Sequence, residues 1–234
     1  MEERSGRLGV GIVGAGLVGP VIGAALAAAG HAVVGISAIS EASRERAEAM
    51  LPGVPILELP QVIERSELVV LAVPASELAQ LVEGLAATGT WQAGQLVLHT
   101  AAEFGTGVLS PAMAQGAIPL AVHPIMTFTG TTMDLSRMVD SYFAVTAPTP
   151  VLPIGQALVV EMGGEPLVVA EADRAALAEA ISTAVSFSTA IVDQATGILS
   201  SIGVEAPGRV LGPLVRSAVD NALRRASGTA PLND

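Results

Sequence analysis

The glycine-rich segment after the first apolar run most constrains how this chain folds. Residues 8–13 have the apolar pattern of a buried strand, and the alanine-rich residues 20–29 have the pattern of a helix. Between them stands the sequence Gly14-Ala15-Gly16-Leu17-Val18-Gly19. A G-x-G-x-x-G motif between a strand and a helix is typical of a βαβ unit that binds a dinucleotide.

Each glycine of the motif has a separate physical role in such a unit. Gly14 permits the tight turn out of the strand, and Gly16 lets the backbone approach a pyrophosphate because it has no Cβ. Gly19 lets the helix pack closely against the sheet. The phosphates would then meet N–H groups and the positive end of the helix dipole. We therefore expect residues 14–19 to bind a dinucleotide cofactor.

Two other interpretations of this segment stay open. Residues 8–30 carry no charge, so their length would permit a membrane span, and glycine-rich turns occur in other α/β domains. The second apolar strand at residues 32–36 favours a strand–turn–helix–strand unit. A cleaved signal peptide is disfavoured, since cleavage would remove the first strand.

Composition excludes several kinds of chemistry and partner. The formal net charge is −11 and the arginines form no basic cluster, which argues against a nucleic-acid partner. With no cysteine, the chain can form no disulfide, thiolate nucleophile or zinc–thiolate site. With no lysine, it can use neither a lysine acid nor a Schiff base. We expect no metal, no membrane partner and a cytoplasmic location.

Strand-like and helix-like segments alternate through the first two-thirds of the chain. The predicted strands are residues 8–13, 32–36, 54–57, 68–73, 95–100, 118–122, 142–146 and 166–169. The predicted helices between them are residues 20–29, 41–50, 76–87, 107–115 and 154–162. This alternation predicts an α/β fold with a doubly wound, mostly parallel Rossmann sheet.

The pattern changes near residue 171, where two long helical stretches begin. They cover residues 171–202 and 207–226, with Gly203 between them. We therefore predict a Rossmann dinucleotide-binding domain at residues 1–170 and an all-α C-terminal region at residues 171–234. Ala180, Ala184 and Ser188 place small residues four apart, which permits close packing against the Rossmann domain or a second chain. The apolar content of this region favours a homodimer.

Candidate site residues follow three of the predicted parallel strands. Ligands in open α/β sheets bind beyond the carboxyl ends of the strands, so these residues converge on one crevice. We expect Val73 and Pro74 to contact the cofactor there. The candidate catalytic residues are His99, Thr100, His123 and Thr127. We expect them to act on a small-molecule substrate. A histidine at a strand end can equally cap backbone groups, and both interpretations stay open.

The end of the second predicted strand bears on the type of cofactor. NAD-binding folds place an acidic residue there for the ribose hydroxyls, whereas this chain has Ser37 and Ser40. Arg44 and Arg46 follow on the next predicted helix. Two hydroxyls and two arginines suit a 2′-phosphate, so NADP is preferred and NAD stays possible. The alternative is that both arginines are simply solvated on an exposed helix face.

Several motifs together are similar to one bacterial family. They include the glycine motif, Leu71-Ala72-Val73-Pro74, His99-Thr100, residues 121–130 with Asp134-Leu135, residues 161–166, and Asp220-Asn221-Ala222-Leu223. The chain resembles the Rossmann-like proteins that carry domain of unknown function 2520. These are grouped with 6-phosphogluconate dehydrogenase-like proteins, near ketopantoate reductase and pyrroline-5-carboxylate reductase. The resemblance implies an NADPH-dependent reductase of a small oxo acid or imine, with ketopantoate a plausible substrate.

The chain departs from that family's pattern at several positions. Ala101 and Ala102 follow His-Thr where the family tends to have Ser-Gly, and Ile39 replaces a nucleotide-binding arginine. Ala178 and Ser186 stand where the family has a histidine and an asparagine in the long helix.

Three functional hypotheses follow. In the first, His123 acts as proton donor or oxyanion partner, and Thr127 and Thr100 orient the substrate. In the second, the protein binds a nucleotide without catalysis, as a sensor or assembly partner. In the third, no dinucleotide binds.

Overall fold

A seven-stranded sheet organises the first of two compact units, Met1–Ala178 and Glu179–Asp234. The computed structural model describes residues 7–226. Within them, the strands are β1 (Gly9–Val13), β2 (Ala32–Ser37), β3 (Leu68–Leu71), β4 (Leu96–His99), β5 (Ile118–Pro124), β6 (Tyr142–Thr146) and β7 (Glu165–Val168). Their order is β2-β1-β3-β4-β5-β6-β7, with β1 to β5 parallel and β6 antiparallel to β5. The predicted mostly parallel Rossmann sheet is confirmed.

Helices connect these strands and cover both faces of the sheet. They are α1 (Gly19–Ala28), α2 (Glu41–Met50), α3 (Leu59–Glu64), α4 (Ala75–Ala87), α5 (Ser110–Met113), α6 (Met133–Met138) and α7 (Leu152–Glu161). Short 3₁₀ turns at Thr106–Leu109 and Glu171–Asp173 precede α5 and α8 (Arg174–Ser201). The strands β3 and β4 are buried along their whole length, as expected for parallel strands covered on both faces.

Residues 8–30, whose length alone would permit a membrane span, contain β1, the glycine loop and α1 of this unit. Val10, Ile12 and Leu26 are buried in the aliphatic cluster between the sheet and α1. The strand–turn–helix–strand interpretation is therefore confirmed. Among residues 7–226, one helical segment, Glu171–Ser201, is long and apolar enough to cross a membrane by length and composition alone.

Some predicted elements differ from the structure. Residues 54–57 form no strand, because only Ile56 pairs with Ile36 of β2. The predicted helix at residues 107–115 is a 3₁₀ turn followed by the short α5. The helices α3 and α6 were not predicted. Pro60 at the start of α3 interrupts the apolar pattern on which sequence reading depends.

The second unit consists of the rest of α8 and α9 (Pro207–Ala226). Its described residues include no buried side chain. Exposed apolar side chains on these two helices include Phe187, Ile191, Ile198, Val210 and Leu214. The division at residues 178 and 179 lies inside α8, whereas the sequence suggested residues 170 and 171. The first turn of α8 belongs to the first unit, where Arg174 is buried.

Candidate functional site

The glycine loop between β1 and α1 has the geometry that its sequence motif predicts. Gly14 has a φ of +99°, in the left-handed region that favours glycine, and a Cβ there would lie 2.5 Å from the carbonyl oxygen of Ala72. A Cβ on Gly19 would lie 2.0 Å from the carbonyl oxygen of Gly14, so only glycine lets α1 pack this closely. A Cβ on Gly16 would meet no atom within 4 Å. Gly16 therefore borders open space that a ligand can enter.

Two side chains hold the main chain of this loop in place. The Ser37 Oγ accepts a hydrogen bond from the Gly14 amide at 3.2 Å, and the Arg46 Nη1 donates one to the Ala15 carbonyl at 2.8 Å. Within the described residues, no side chain caps the first turn of α1 and no acidic residue stands in it. The helix terminus is therefore able to accept an anionic group.

Two cavities flank the loop. The first, which we call the glycine-loop cavity, has a volume of about 660 Å³, within the usual range for cofactor sites. The predicted cofactor residues that line it are Gly14, Ala15, Gly16, Ser37, Ser40, Arg44, Val73 and Pro74. Two carboxylate residues, Glu58 and Glu77, line it as well. The structure thus brings the glycine loop and the end of β2 together around one space.

The second space, the His123 cavity, has a volume of about 240 Å³. Its lining residues are Leu17, Val18, Thr100, His123, Pro124, Met126 and Phe128. Two predicted catalytic residues, Thr100 and His123, therefore meet beside the glycine loop. Thr127 is exposed and lines neither cavity, and His99 is fully buried outside both. Catalytic roles for Thr127 and His99 remain predictions that this arrangement does not support.

The hydrogen bonding of His123 defines what its ring offers. Its Nδ1 lies 2.7 Å from the carbonyl oxygen of Thr100, and because a carbonyl only accepts, Nδ1 carries the hydrogen. Burial lowers the pKa of His123 and the Arg174 charge lowers it further, outweighing the Thr100 carbonyl and Glu103, which raise it. The ring is therefore largely uncharged at neutral pH. Its Nε2, which bonds to no described residue, is then a hydrogen-bond acceptor.

His99 supports the neighbouring loop instead of facing a ligand. Its Nε2 lies 2.8 Å from the carbonyl oxygen of Gly105 and donates to it. Desolvation is the main reason that its pKa falls to about 4. The Nδ1 is buried with no hydrogen-bond partner among the described residues. Neutral His99 is thus a fixed donor beneath the loop that follows β4.

The low pKa of His99 predicts acid sensitivity of the fold. The unfolded chain binds a proton at His99 below about pH 6.5, whereas the folded chain binds it only near pH 4. The free energy of unfolding should therefore decrease as the pH falls from 6.5 to 4, by about 3 kcal/mol from this group. Urea denaturation across this range measures the decrease.

His99→Gln is the matched variant, because a glutamine amide can still donate to Gly105 but does not titrate. It should show a smaller decrease over the same pH range. An equal decrease in both proteins would contradict the assignment to His99.

His31, just before β2, lines neither cavity. Its Nδ1 accepts from the Leu8 amide at 3.2 Å, and its Nε2 lies 2.8 Å from Glu161 Oε2 on α7. The imidazole therefore joins the start of β1 to α7, which is a structural role.

Asp134 holds the loop after β5 in place. The family motif includes this residue, but the sequence alone does not indicate its role. Its carboxylate is fully buried and accepts hydrogen bonds from the Thr129 amide and hydroxyl and from the amides of Gly130 and Thr131. Burial alone would raise the pKa of Asp134, but these donors outweigh it and hold the pKa below its usual value. The loop beside the His123 cavity is therefore built on a buried carboxylate.

Sequence reasoning also missed Glu171 and Arg174, three residues apart where α8 begins. The Glu171 carboxylate accepts from the amides of Thr106 and Gly107, at 2.8 and 2.9 Å. Arg174 is 1% exposed, and its guanidinium donates hydrogen bonds to the carbonyl oxygens of Ala121 in β5 and Ala144 in β6. No local sequence pattern marks the Arg174 contacts, because Ala121 lies 53 residues away in the chain.

Family comparisons agree with this geometry. Residues 1–124 match the Rossmann-like domain, which is more than half of the chain. The chain belongs to the Rossmann-like domain family. Residues 141–231 match domain of unknown function 2520 (DUF2520). The resemblance inferred from the sequence motifs is confirmed. No curated protein matches this sequence.

Solved structures of other proteins share the fold of this Rossmann-like protein. A candidate NADP oxidoreductase from Bacteroides fragilis has a TM-score of 0.77 at 18% identity, over 92% of this chain and 80% of that one. The 1-pyrroline-5-carboxylate reductase of Streptococcus pyogenes scores 0.68 at 15% identity, over 97% and 82%. The pyrroline carboxylate reductase of Plasmodium falciparum with NADP bound scores 0.66 at 11% identity, over 95% and 80%. At these identities the likeness is one of fold.

Proposed function

We propose that this Rossmann-like protein is an NAD(P)-dependent oxidoreductase, and specifically an NADPH-dependent reductase of a small oxo acid or imine. The observation that carries the proposal is the glycine loop with open space at Gly16, flanked by the glycine-loop cavity and the His123 cavity. The names of the structural neighbours, an NADP oxidoreductase and two pyrroline carboxylate reductases, support it.

The lining residues fit a nicotinamide dinucleotide, which would supply or accept a hydride. The loop amides and the uncapped end of α1 would bind its pyrophosphate. Ser37, Ser40 and Arg44 would bind the ribose at the adenine end. Thr100 and His123 would face the reacting end.

His123 would move the proton that accompanies hydride transfer. In reduction, a proton on Nε2 passes to the substrate oxygen or nitrogen as that atom gains negative charge. In oxidation, the uncharged Nε2 accepts the proton that a substrate hydroxyl or amine loses. The Thr100 carbonyl keeps the hydrogen on Nδ1, so Nε2 is the nitrogen left for this exchange.

The first test is a titration of the purified protein with NADPH, NADH, NADP⁺ and NAD⁺, followed by assays with a panel of oxo acids and imines. NADPH binding with oxidation by at least one substrate supports the reductase. Binding without turnover on any substrate favours the second hypothesis, a nucleotide-binding protein without catalysis. The family residues that this chain replaces, as at Ala178 and Ser186, motivate that alternative. No response to any of the four nucleotides contradicts both proposals.

The preference for NADP depends on Arg44. Replacing it by alanine should weaken NADPH binding about 10- to 100-fold, the value of a charge-assisted hydrogen bond, and leave NADH binding nearly unchanged. Isothermal titration calorimetry with both cofactors measures the ratio. Arg65→Ala is the control, because Arg65 is exposed and lines neither cavity. Equal losses for NADPH and NADH in R44A would contradict the 2′-phosphate role.

We also propose that the protein forms a homodimer. The apolar side chains exposed on α8 and α9 support this proposal, since isolated amphipathic helices gain most of their stability from packing. Sedimentation velocity distinguishes the dimer from a monomer, and a monomer at micromolar concentration would contradict it.

A further inference from the structure

Arg174 is a buried cation behind the strand pair that carries His123. Its Nη2 donates to the carbonyl oxygens of Ala121, at 2.7 Å, and Ala144, at 3.1 Å. Its Nε donates to the Thr146 hydroxyl at 2.8 Å. The strand register pairs Ala144 with His123 across β5 and β6. One guanidinium therefore joins the two strands at the level of the catalytic candidate.

The charge of Arg174 is not cancelled by a contacting carboxylate. Among the described residues, no acidic group lies within 4.0 Å of the guanidinium, and its Nη1 is buried without a hydrogen-bond partner. The carboxylate that acts electrostatically on Arg174 is that of Glu171, whose oxygens accept hydrogen bonds from the amides of Thr106 and Gly107. Because water screens little in such a place, the positive charge acts on neighbouring groups.

We propose that Arg174 is a positioning residue for His123. Its guanidinium holds β5 and β6 together behind the imidazole and places a fixed positive charge beside the ring. This role rests on the proposed function, in which His123 exchanges a proton with substrate. The fixed charge disfavours a second positive charge on the ring. Arg174 thus favours loss of the Nε2 proton, which is the proton that passes from His123 to the substrate in the proposed reduction.

Three charged or titratable groups act on His123 from the elements around it. Arg174 acts from the start of α8 and Glu103 from the loop after β4, with opposite signs. His99, at the end of β4, is electrostatically coupled to His123 and is itself uncharged at neutral pH. Of these groups, Arg174 is the cation that stays charged throughout the neutral range, with a pKa of about 10. Removal of the Arg174 charge should therefore move the titration midpoint of His123 to higher pH.

The test is the titration of the histidine ring protons by NMR in Arg174→Gln, Arg174→Lys and Thr146→Val. The His123 signal is assigned with a His123→Ala sample. R174Q removes the charge, R174K keeps it without the forked contacts, and T146V removes one contact of the unchanged arginine. We expect the His123 midpoint to move to higher pH in R174Q and to stay at the wild-type value in T146V and R174K.

Two results would overturn this proposal. One is an unchanged His123 midpoint in folded R174Q. The other is an equal displacement in T146V and R174K, which would show that the contacts matter and the charge does not. If R174Q does not fold, a displaced His123 midpoint in R174K, which keeps the charge, would still overturn the proposal.

The NMR titration needs neither cofactor nor turnover, so its failure can be separated from failure of the proposed reductase. If the reductase is also correct, the pH optimum of kcat in R174Q should move in the same direction as the NMR midpoint, with KM little changed.

Discussion

Replacing Gly16 by valine should weaken dinucleotide binding by at least about 100-fold, roughly 2.7 kcal/mol, without unfolding the protein. The backbone of Gly16 does not require a positive φ, and a Cβ there meets no protein atom within 4 Å. A valine side chain would therefore fit the apoprotein and fill the space that the pyrophosphate needs. Calorimetric titration with NADPH measures the loss, and a thermal melt measures the fold.

Two other glycines provide matched controls. Gly84 is exposed on α4, and a Cβ there would meet no atom within 4 Å, so Gly84→Ala should leave binding unchanged and stabilise the helix by about 0.5–1 kcal/mol. Gly19→Ala should instead lower the melting temperature, because its Cβ would meet the Gly14 carbonyl. If G16V bound NADPH as tightly as G84A, the ligand could not lie against this loop.

Replacing His123 by alanine should lower kcat about 10²- to 10⁴-fold, the usual contribution of a general acid or base. The affinity for NADPH should change little, because the residues proposed to bind the phosphates lie at the glycine loop and the end of β2. Steady-state kinetics together with a binding titration separate the two effects.

The pH dependence of the reaction rate tests the same role of His123. Since the pKa of His123 lies below its ordinary value, reduction should slow as the pH rises through that pKa and the donor loses its proton. Oxidation of the corresponding product should accelerate over the same range. His31→Gln is the control, because His31 lines neither cavity. Equal kcat values in H123A and H31Q would remove His123 from the mechanism.

Local sequence signals predicted the part of the site that local geometry determines. The glycine motif specified the turn at Gly14, the close helix at Gly19 and the open position at Gly16, and all three are present. The rule that ligands bind at strand carboxyl ends placed Thr100 and His123 together, as the structure has them. The single predicted crevice is instead two cavities, because Val73 and Pro74 line the other one. Both predictions rest on residues close in sequence or on a regular property of parallel sheets.

The remaining features of the site depend on long-range packing, which no local sequence pattern indicates. His99 and His123 both lie at strand ends. The His99 ring is hydrogen-bonded to the carbonyl of Gly105, whereas the His123 ring borders a cavity. Arg174 reaches Ala121, which is 53 residues away in the chain, so no local pattern marks the contact. Arg46 follows Arg44 on the same helix, yet it binds the Ala15 carbonyl instead of lining the glycine-loop cavity.

A crystal structure of the protein soaked with NADP tests the central claim most directly. The account predicts the pyrophosphate against the loop amides at Gly16, the 2′-phosphate within reach of Arg44, and the nicotinamide ring beside Thr100 and His123. A dinucleotide bound elsewhere, or one whose nicotinamide lies away from the His123 cavity, would contradict it.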